Sequence, residues 1–166
     1  GLLRSSEVIT QWAHSEAILK LLPENLSPVR GILFDKVPGA NWKVAWHQDL
    51  TITVGVRHDV AGYGPWSLKE NAWHVQPPVE VMEGMTTLRL HLDDTPAENG
   101  ALRVIPASHL GGRLSARDIV RCREATYEHV CEARFGDILL MKPLLLHASA
   151  PSTRPGHRRV VHIEYA

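Results

Sequence analysis

Hydrophobic and polar positions change their period once along this chain of 166 residues, and the change divides it. Over residues 5–22, Val8, Ile9, Trp12, Ala13, Leu19 and Leu22 form an apolar stripe at helical spacing, and Pro23 ends it. Beyond Pro23 the period drops to two, in short stretches. These predict strands over 31–36, 44–56, 86–92, 101–105, 126–133, 137–147 and 158–165. Turn formers separate them, as in "VPGAN", "PAENG", "HLGGR", "RFGD" and "TRPG". One more helix is predicted over 115–124, where Ser115 and Asp118 make a capping-box start. Residues 57–84 show no clear period and many turn formers, which predicts a lid or substrate-binding loop. Many short strands with turn punctuation argue a sandwich or barrel. Without an internal repeat or low-complexity segment, 1–166 is expected to be a single domain.

Charge narrows the partners. Lysine plus arginine and aspartate plus glutamate stand at 18 each, so no basic field draws in nucleic acid or a membrane surface. No apolar run approaches the ~18 residues of a membrane span, and no leader pattern opens the chain. Cys122 and Cys131 are too few for a disulfide framework and are expected to be small core residues, which points to a reducing, cytoplasmic setting. A small-molecule substrate is the remaining expectation. Nothing in the pattern specifies an oligomeric state.

The chemistry begins at "VAWHQDLTITV". Strand periodicity turns His47 and Asp49 to one side, and an imidazole and a carboxylate are costly to bury unless paired. Either they hydrogen-bond to each other or they share a metal ion. Two histidines and one carboxylate with open positions are the arrangement of mononuclear non-haem iron(II) oxygenases. His147, closing the run "DILLMKPLLLH", is a polar residue out of keeping with its apolar neighbours and the candidate third ligand. Ser149 shares its face. Arg158 lies eleven residues past His147, within reach of an adjacent strand. A guanidinium there is a fixed, planar, permanently charged fork suited to a carboxylate, as of a 2-oxo acid. A register slip of one would substitute Arg159.

Other residues carry two readings. Arg89 and His91 share a face, so Arg89 either contacts substrate or co-substrate or is solvated. Trp66, Trp73, His74 and Gln76 form a substrate wall or pin their segment to the barrel. Arg113, Arg117, Arg121 and Arg123 make a solvated face or receive an anionic substrate. His58, His109, His129, His157 and His162 read as structural.

The blocks "ILFDK…WHQD", "LRLHLDDTPAENGALRVIPASHLGG", "FGDILLMKPLLLHAS" and "RRVVHIEYA" resemble, in order, those of the phytanoyl-CoA dioxygenase family, over about residues 30–166. The resemblance implies a mainly β fold, a double-stranded β-helix (a cupin-like jelly roll) with a few flanking helices. It implies a dioxygenase using Fe(II), 2-oxoglutarate and O2 to hydroxylate a small molecule, releasing succinate and CO2. His47, Asp49 and His147 would bind iron; Arg158, Ser149 and Lys36 would hold 2-oxoglutarate. Halogenating relatives leave open the position that Asp49 fills, which favours hydroxylation. One departure is Ala107 in "PASH", where the family has glycine; that turn either needs no positive φ or carries strain. The rival expectations are a non-catalytic jelly-roll metal- or ligand-binding protein and a metal-dependent cupin isomerase. Arg158 discriminates against the isomerase, since a 2-oxo acid user has reason to clamp a diacid. Nothing amounts to a CoA signature.

Overall fold

Alternation over residues 158–165 gives one strand two unlike faces, and the computed structural model, which describes residues 1–69, 71–153 and 156–166, is organised around it. In chain order the strands are β1 (Pro28–Lys36), β2 (Val44–His47), β3 (Ile52–Val54), β4 (Trp66–Lys69), β5 (Ala72–Val75), β6 (Thr86–His91), β7 (Leu102–Val104), β8 (His129–Cys131), β9 (Ile138–Met141), β10 (His147–Ser149) and β11 (Arg158–Tyr165). The helices are α1 (Leu2–Ser5), α2 (Glu7–Ala13), α3 (Glu16–Leu19), α4 (Val79–Gly84) and α5 (Ala116–Ala125). One sheet runs β1-β11-β6-β9, a second β2-β10-β7-β8, and a small third β3-β5-β4. Their pairings are antiparallel. The two larger sheets enclose one interior, which makes the fold the jelly roll expected from the sequence.

On β11, Val161, Ile163 and Tyr165 face outward and pack with Leu88 against Ala13, Ile18 and Leu22 of the N-terminal helical segment. Each such side chain removed from water contributes about 1.5–3 kcal/mol, so this layer fastens the helices to the sheet. Tyr165 Oη also donates to the Ala13 carbonyl at 3.1 Å. The alternate residues, Arg158, Val160, His162 and Glu164, face the interior. Among the described residues no helix is long and apolar enough to cross a membrane.

Four expected elements come out differently. The helix over 5–22 is three short ones, broken at Ser6 and Ser15, both in extended backbone; the Ser6 hydroxyl caps α2 by accepting from the Ile9 N–H. Serine competes with the helix for backbone hydrogen bonds and favours its start. The strand over 137–147 is two strands in different sheets, because Pro143 cannot donate to a ladder and the chain turns there, Leu145 N–H donating to Lys142 O at 3.0 Å. The strand over 44–56 likewise splits into β2 and β3. Residues 57–84 are irregular only in part: 57–65 carry no helix or strand, whereas 66–69 and 72–75 build the β4–β5 hairpin and 79–84 form α4, with Glu70 outside the described residues. Met82 and Met85 there pack on Leu144, Leu50 and Ile52, which braces the loop after β2. The expected turn "APSTRPG" contains Arg154 and Pro155, which lie outside the described residues. The helix at 115–124 is α5, with both arms of its capping box formed.

Candidate metal centre

His47 ends β2 and His147 opens β10, and the two are registered cross-strand partners. Their ring centroids lie 4.2 Å apart. Each ring is oriented by its own strand: His47 Nδ1 sits 2.8 Å from Ala45 O and His147 Nδ1 2.7 Å from Leu145 O. A carbonyl only accepts, so each Nδ1 carries the proton and each neutral ring offers its lone pair at Nε2. Both Nε2 atoms turn toward one carboxylate, at 3.5 Å from Asp49 Oδ1 and 3.8 Å from Asp49 Oδ2. Those gaps exceed a good N–H···O bond and leave room for a cation. The three donor atoms lie within 4.8 Å of one another. Two preset lone pairs and a carboxylate fit a divalent metal such as Fe(II).

Asp49 does not lie on a strand, contrary to the period-two reading. Its N–H donates to Pro143 O at 3.0 Å. Gln48, which sequence reasoning passed over, explains the convergence. Its buried amide donates to Gly112 O at 2.8 Å and Leu144 O at 2.6 Å, and accepts from Leu114 N–H at 2.8 Å. The loop between two ligands is thus clamped to two other segments. Only its unusual burial distinguishes Gln48, and the local pattern carries no sign of that.

Burial pushes the Asp49 carboxyl up, but the imidazoles beside it, His47 first and then His147 and His162, outweigh this and bring it to about 2. Proximity to that carboxylate raises His47. Burial lowers His147, which keeps it neutral and able to ligate.

A cavity of about 290 Å³ joins the triad to a cationic end built from Lys36, Arg89, Ser149 and Arg158. Lys36 Nζ donates to Ser149 Oγ at 3.1 Å and to Ala150 O at 2.7 Å. Gly100, at φ +71, lets the chain pass: a Cβ there would sit 2.5 Å from Ala150 O. Burial, then Arg158 and Arg89, lowers Lys36 to about 8. Arg158 is 3% exposed, its Nε has no hydrogen bond, and no carboxylate pairs with it among the described residues. Arg159 points the other way and pairs with Asp93 through two bonds of 2.9 and 2.8 Å, so the register faces Arg158 inward. Arg89 also faces the cavity, as do His162 and Glu164, which the alternation on β11 from Arg158 would have revealed.

The remaining candidates fall elsewhere. Trp66 and Trp73 meet edge to face across the β4–β5 hairpin, with Arg57 over both rings, and neither lines the cavity. His74 is buried beside Thr53, and Gln76 is likewise absent from the wall. Arg113 donates to Pro77 O, Arg121 meets Asp118, and Arg123 meets Glu128, so this cluster is a solvated, internally paired face. Ala107 has φ +62: the turn needs a left-handed residue and fills the position with alanine.

A family model described as phytanoyl-CoA dioxygenase matches residues 2–160. Among curated proteins none matches significantly. Solved structures do. EctD from S. alaskensis with bound Fe superposes with a TM-score of 0.72 at 17% identity, covering 99% of this chain and 54% of that one. HygX from Streptomyces hygroscopicus with nickel and 2-oxoglutarate bound gives 0.66 at 17%, covering 99% and 69%. AviO1 from Streptomyces viridochromogenes gives 0.60 at 24%, covering 99% and 59%. At these identities the likeness establishes the fold. The chain spans roughly half of the first of these structures and about two thirds of the second.

Proposed function

This chain belongs to the phytanoyl-CoA dioxygenase family, and from that premise we propose that it is an Fe(II)- and 2-oxoglutarate-dependent dioxygenase that hydroxylates a small molecule. In this reading His47, Asp49 and His147 hold the iron, and Lys36, Ser149 and Arg158 hold the far carboxylate of 2-oxoglutarate, with Arg89 on the same wall. Iron with 2-oxoglutarate and O2 supplies the oxidising chemistry when bound, with succinate and CO2 as co-products.

One observation carries the reading: a donor triad with both Nε2 lone pairs preset opens onto buried cations that no carboxylate neutralises among the described residues. A diacid is the ligand such a cavity lacks. The protein's part follows from its own groups. Ala45 and Leu145 carbonyls fix the imidazole tautomers, and Asp49 stays ionised. Residues 1–166 act as one oxygenase domain. Arg30 lines both this cavity and a neighbouring groove walled by Lys69, Ala72 and His74, which supports a substrate-side role for 57–84. The unpaired thiols of Cys122 and Cys131 suit the reducing cytoplasm.

Anaerobic mixing with Fe(II) and 2-oxoglutarate tests this. The expected result is a visible metal-to-ligand charge-transfer band, followed in air by slow succinate formation. A band without succinate would mean a non-catalytic binding protein; the absence of any band would overturn the proposal. His47→Ala and Asp49→Ala should each abolish the band.

A further inference from the structure

The guanidiniums on this sheet are held in different ways. Arg30 is neutralised by Glu164 at 2.9 Å, and Arg159 by Asp93. Arg89 is fixed without being neutralised. Its Nη1 donates to His162 Nδ1 at 3.1 Å, its guanidinium carbon lies 5.8 Å from the Phe34 ring centroid, and its buried Nε has no partner. A ring nitrogen and a ring face set the direction of the fork and leave its full charge for something else. His162 is fixed in turn. Accepting at Nδ1 requires its proton at Nε2, which faces Glu164 Oε1 at 3.8 Å, and Glu164 is held by Arg30. Phe34 and His162, with Glu164 and Arg30 behind the histidine, thus hold one cation in place.

Position narrows what that cation serves. Arg89 is 6% exposed, against 40% for Trp42 on the same cavity wall, so it lies far from solvent. It lines one cavity with the triad and with Arg158, and its charge interacts with both Asp49 and Arg158. That puts it within reach of both the metal triad and the distal clamp. A ligand spanning the cavity from Arg158 to the triad passes Arg89 with its near end.

We propose that Arg89 is a second carboxylate anchor, taking the metal-end carboxylate of the 2-oxo acid, with His162 as the positioning residue that aims it. The inference rests on the 2-oxoglutarate reading above. It adds that both carboxylates of the co-substrate are bound by protein cations, the far one at Lys36 and Arg158 and the near one at Arg89. Selection for a diacid is then made at both ends.

Pyruvate separates the two anchors, because it has the 2-oxo acid end and no distal carboxylate. The experiment titrates the nickel(II)-loaded protein with 2-oxoglutarate and with pyruvate and reads equilibrium affinity. Arg89→Gln should weaken both ligands at least tenfold, whereas Arg158→Gln should weaken 2-oxoglutarate and leave pyruvate unchanged. His162→Phe should weaken both ligands less than Arg89→Gln does, and His162→Gln, which keeps an acceptor, should restore them. Nickel affinity and far-ultraviolet circular dichroism should be those of the wild type throughout. If Arg89→Gln unfolds, Arg89→Lys carries the test, with the same parallel loss expected for the two ligands. Unchanged pyruvate affinity in a folded Arg89 variant overturns the proposal. Failure of the wild type to bind 2-oxoglutarate overturns the function itself, and the anchor with it.

Discussion

Lys36 and Arg158 face one another as registered partners across β1 and β11, both nearly inaccessible to water. Like charges in directly opposed positions repel, and here no carboxylate lies between them among the described residues. Burial first, and then the repulsion of Arg158 and Arg89, lowers Lys36 to about 8. An anion in the cavity would relieve that repulsion, so under the proposed function co-substrate binding should tighten this strand pair.

That relief has a pH signature. Below about 8 Lys36 is charged; above it the empty protein loses the proton, and a bound dianion restores it. Affinity for 2-oxoglutarate should therefore be level below pH 8 and fall as pH rises beyond, approaching tenfold per unit at most. For folding the sign is reversed. The unfolded chain keeps the lysine proton up to its ordinary 10.5, so unliganded stability from this group rises between pH 8 and 10.5. Lys36→Met should flatten both profiles, as titration calorimetry and denaturant midpoints across that window would show.

Arg158→Ala should cost about 2–4 kcal/mol of 2-oxoglutarate affinity, the value of charge-assisted bonds to a buried carboxylate. Arg159→Ala should leave that affinity untouched, because its guanidinium engages Asp93 on the outer face. Equal losses in the two variants would mean the strand's inward face is misassigned.

Gln48→Leu keeps side-chain bulk but leaves the Gly112 and Leu144 carbonyls and the Leu114 N–H without their partner. Urea denaturation should show a loss of about 2–4 kcal/mol. Metal affinity should fall as well, because the loop carrying Asp49 is no longer clamped. Wild-type metal binding in this variant would show that the Asp49 N–H to Pro143 bond suffices alone.

Ala107→Gly should stabilise the fold by about 1 kcal/mol, since alanine is disfavoured at φ +62 and glycine is not. A melting curve checks it, and co-substrate affinity should stay constant because Ala107 does not line the cavity.

Where the fold follows local periodicity, it was legible. Residues 162–165 alternate polar and apolar after the Val160-Val161 pair, 158–165 form β11 with the expected bounds, and Ser115 with Asp118 announces α5. The triad was legible for another reason: His47, Asp49 and His147 occur in an ordered set of blocks, and the structure brings the three together. What escaped was set by distant partners. The break after His47 depends on Gln48 meeting Gly112, Leu114 and Leu144, and the β4–β5 hairpin depends on β3 as a template. His162, read as structural, and Glu164, which carries no motif of its own, take their place on the cavity wall from the face they share with Arg158, and a residue-by-residue pattern does not show a face.

The two-sidedness of β11 bears on how this scaffold changes over generations. Val161, Ile163 and Tyr165 answer to packing, while Arg158, His162 and Glu164 line the cavity, so neighbouring positions carry unlike demands. Substrate preference can then drift on one side of a ribbon whose other side keeps the molecule folded.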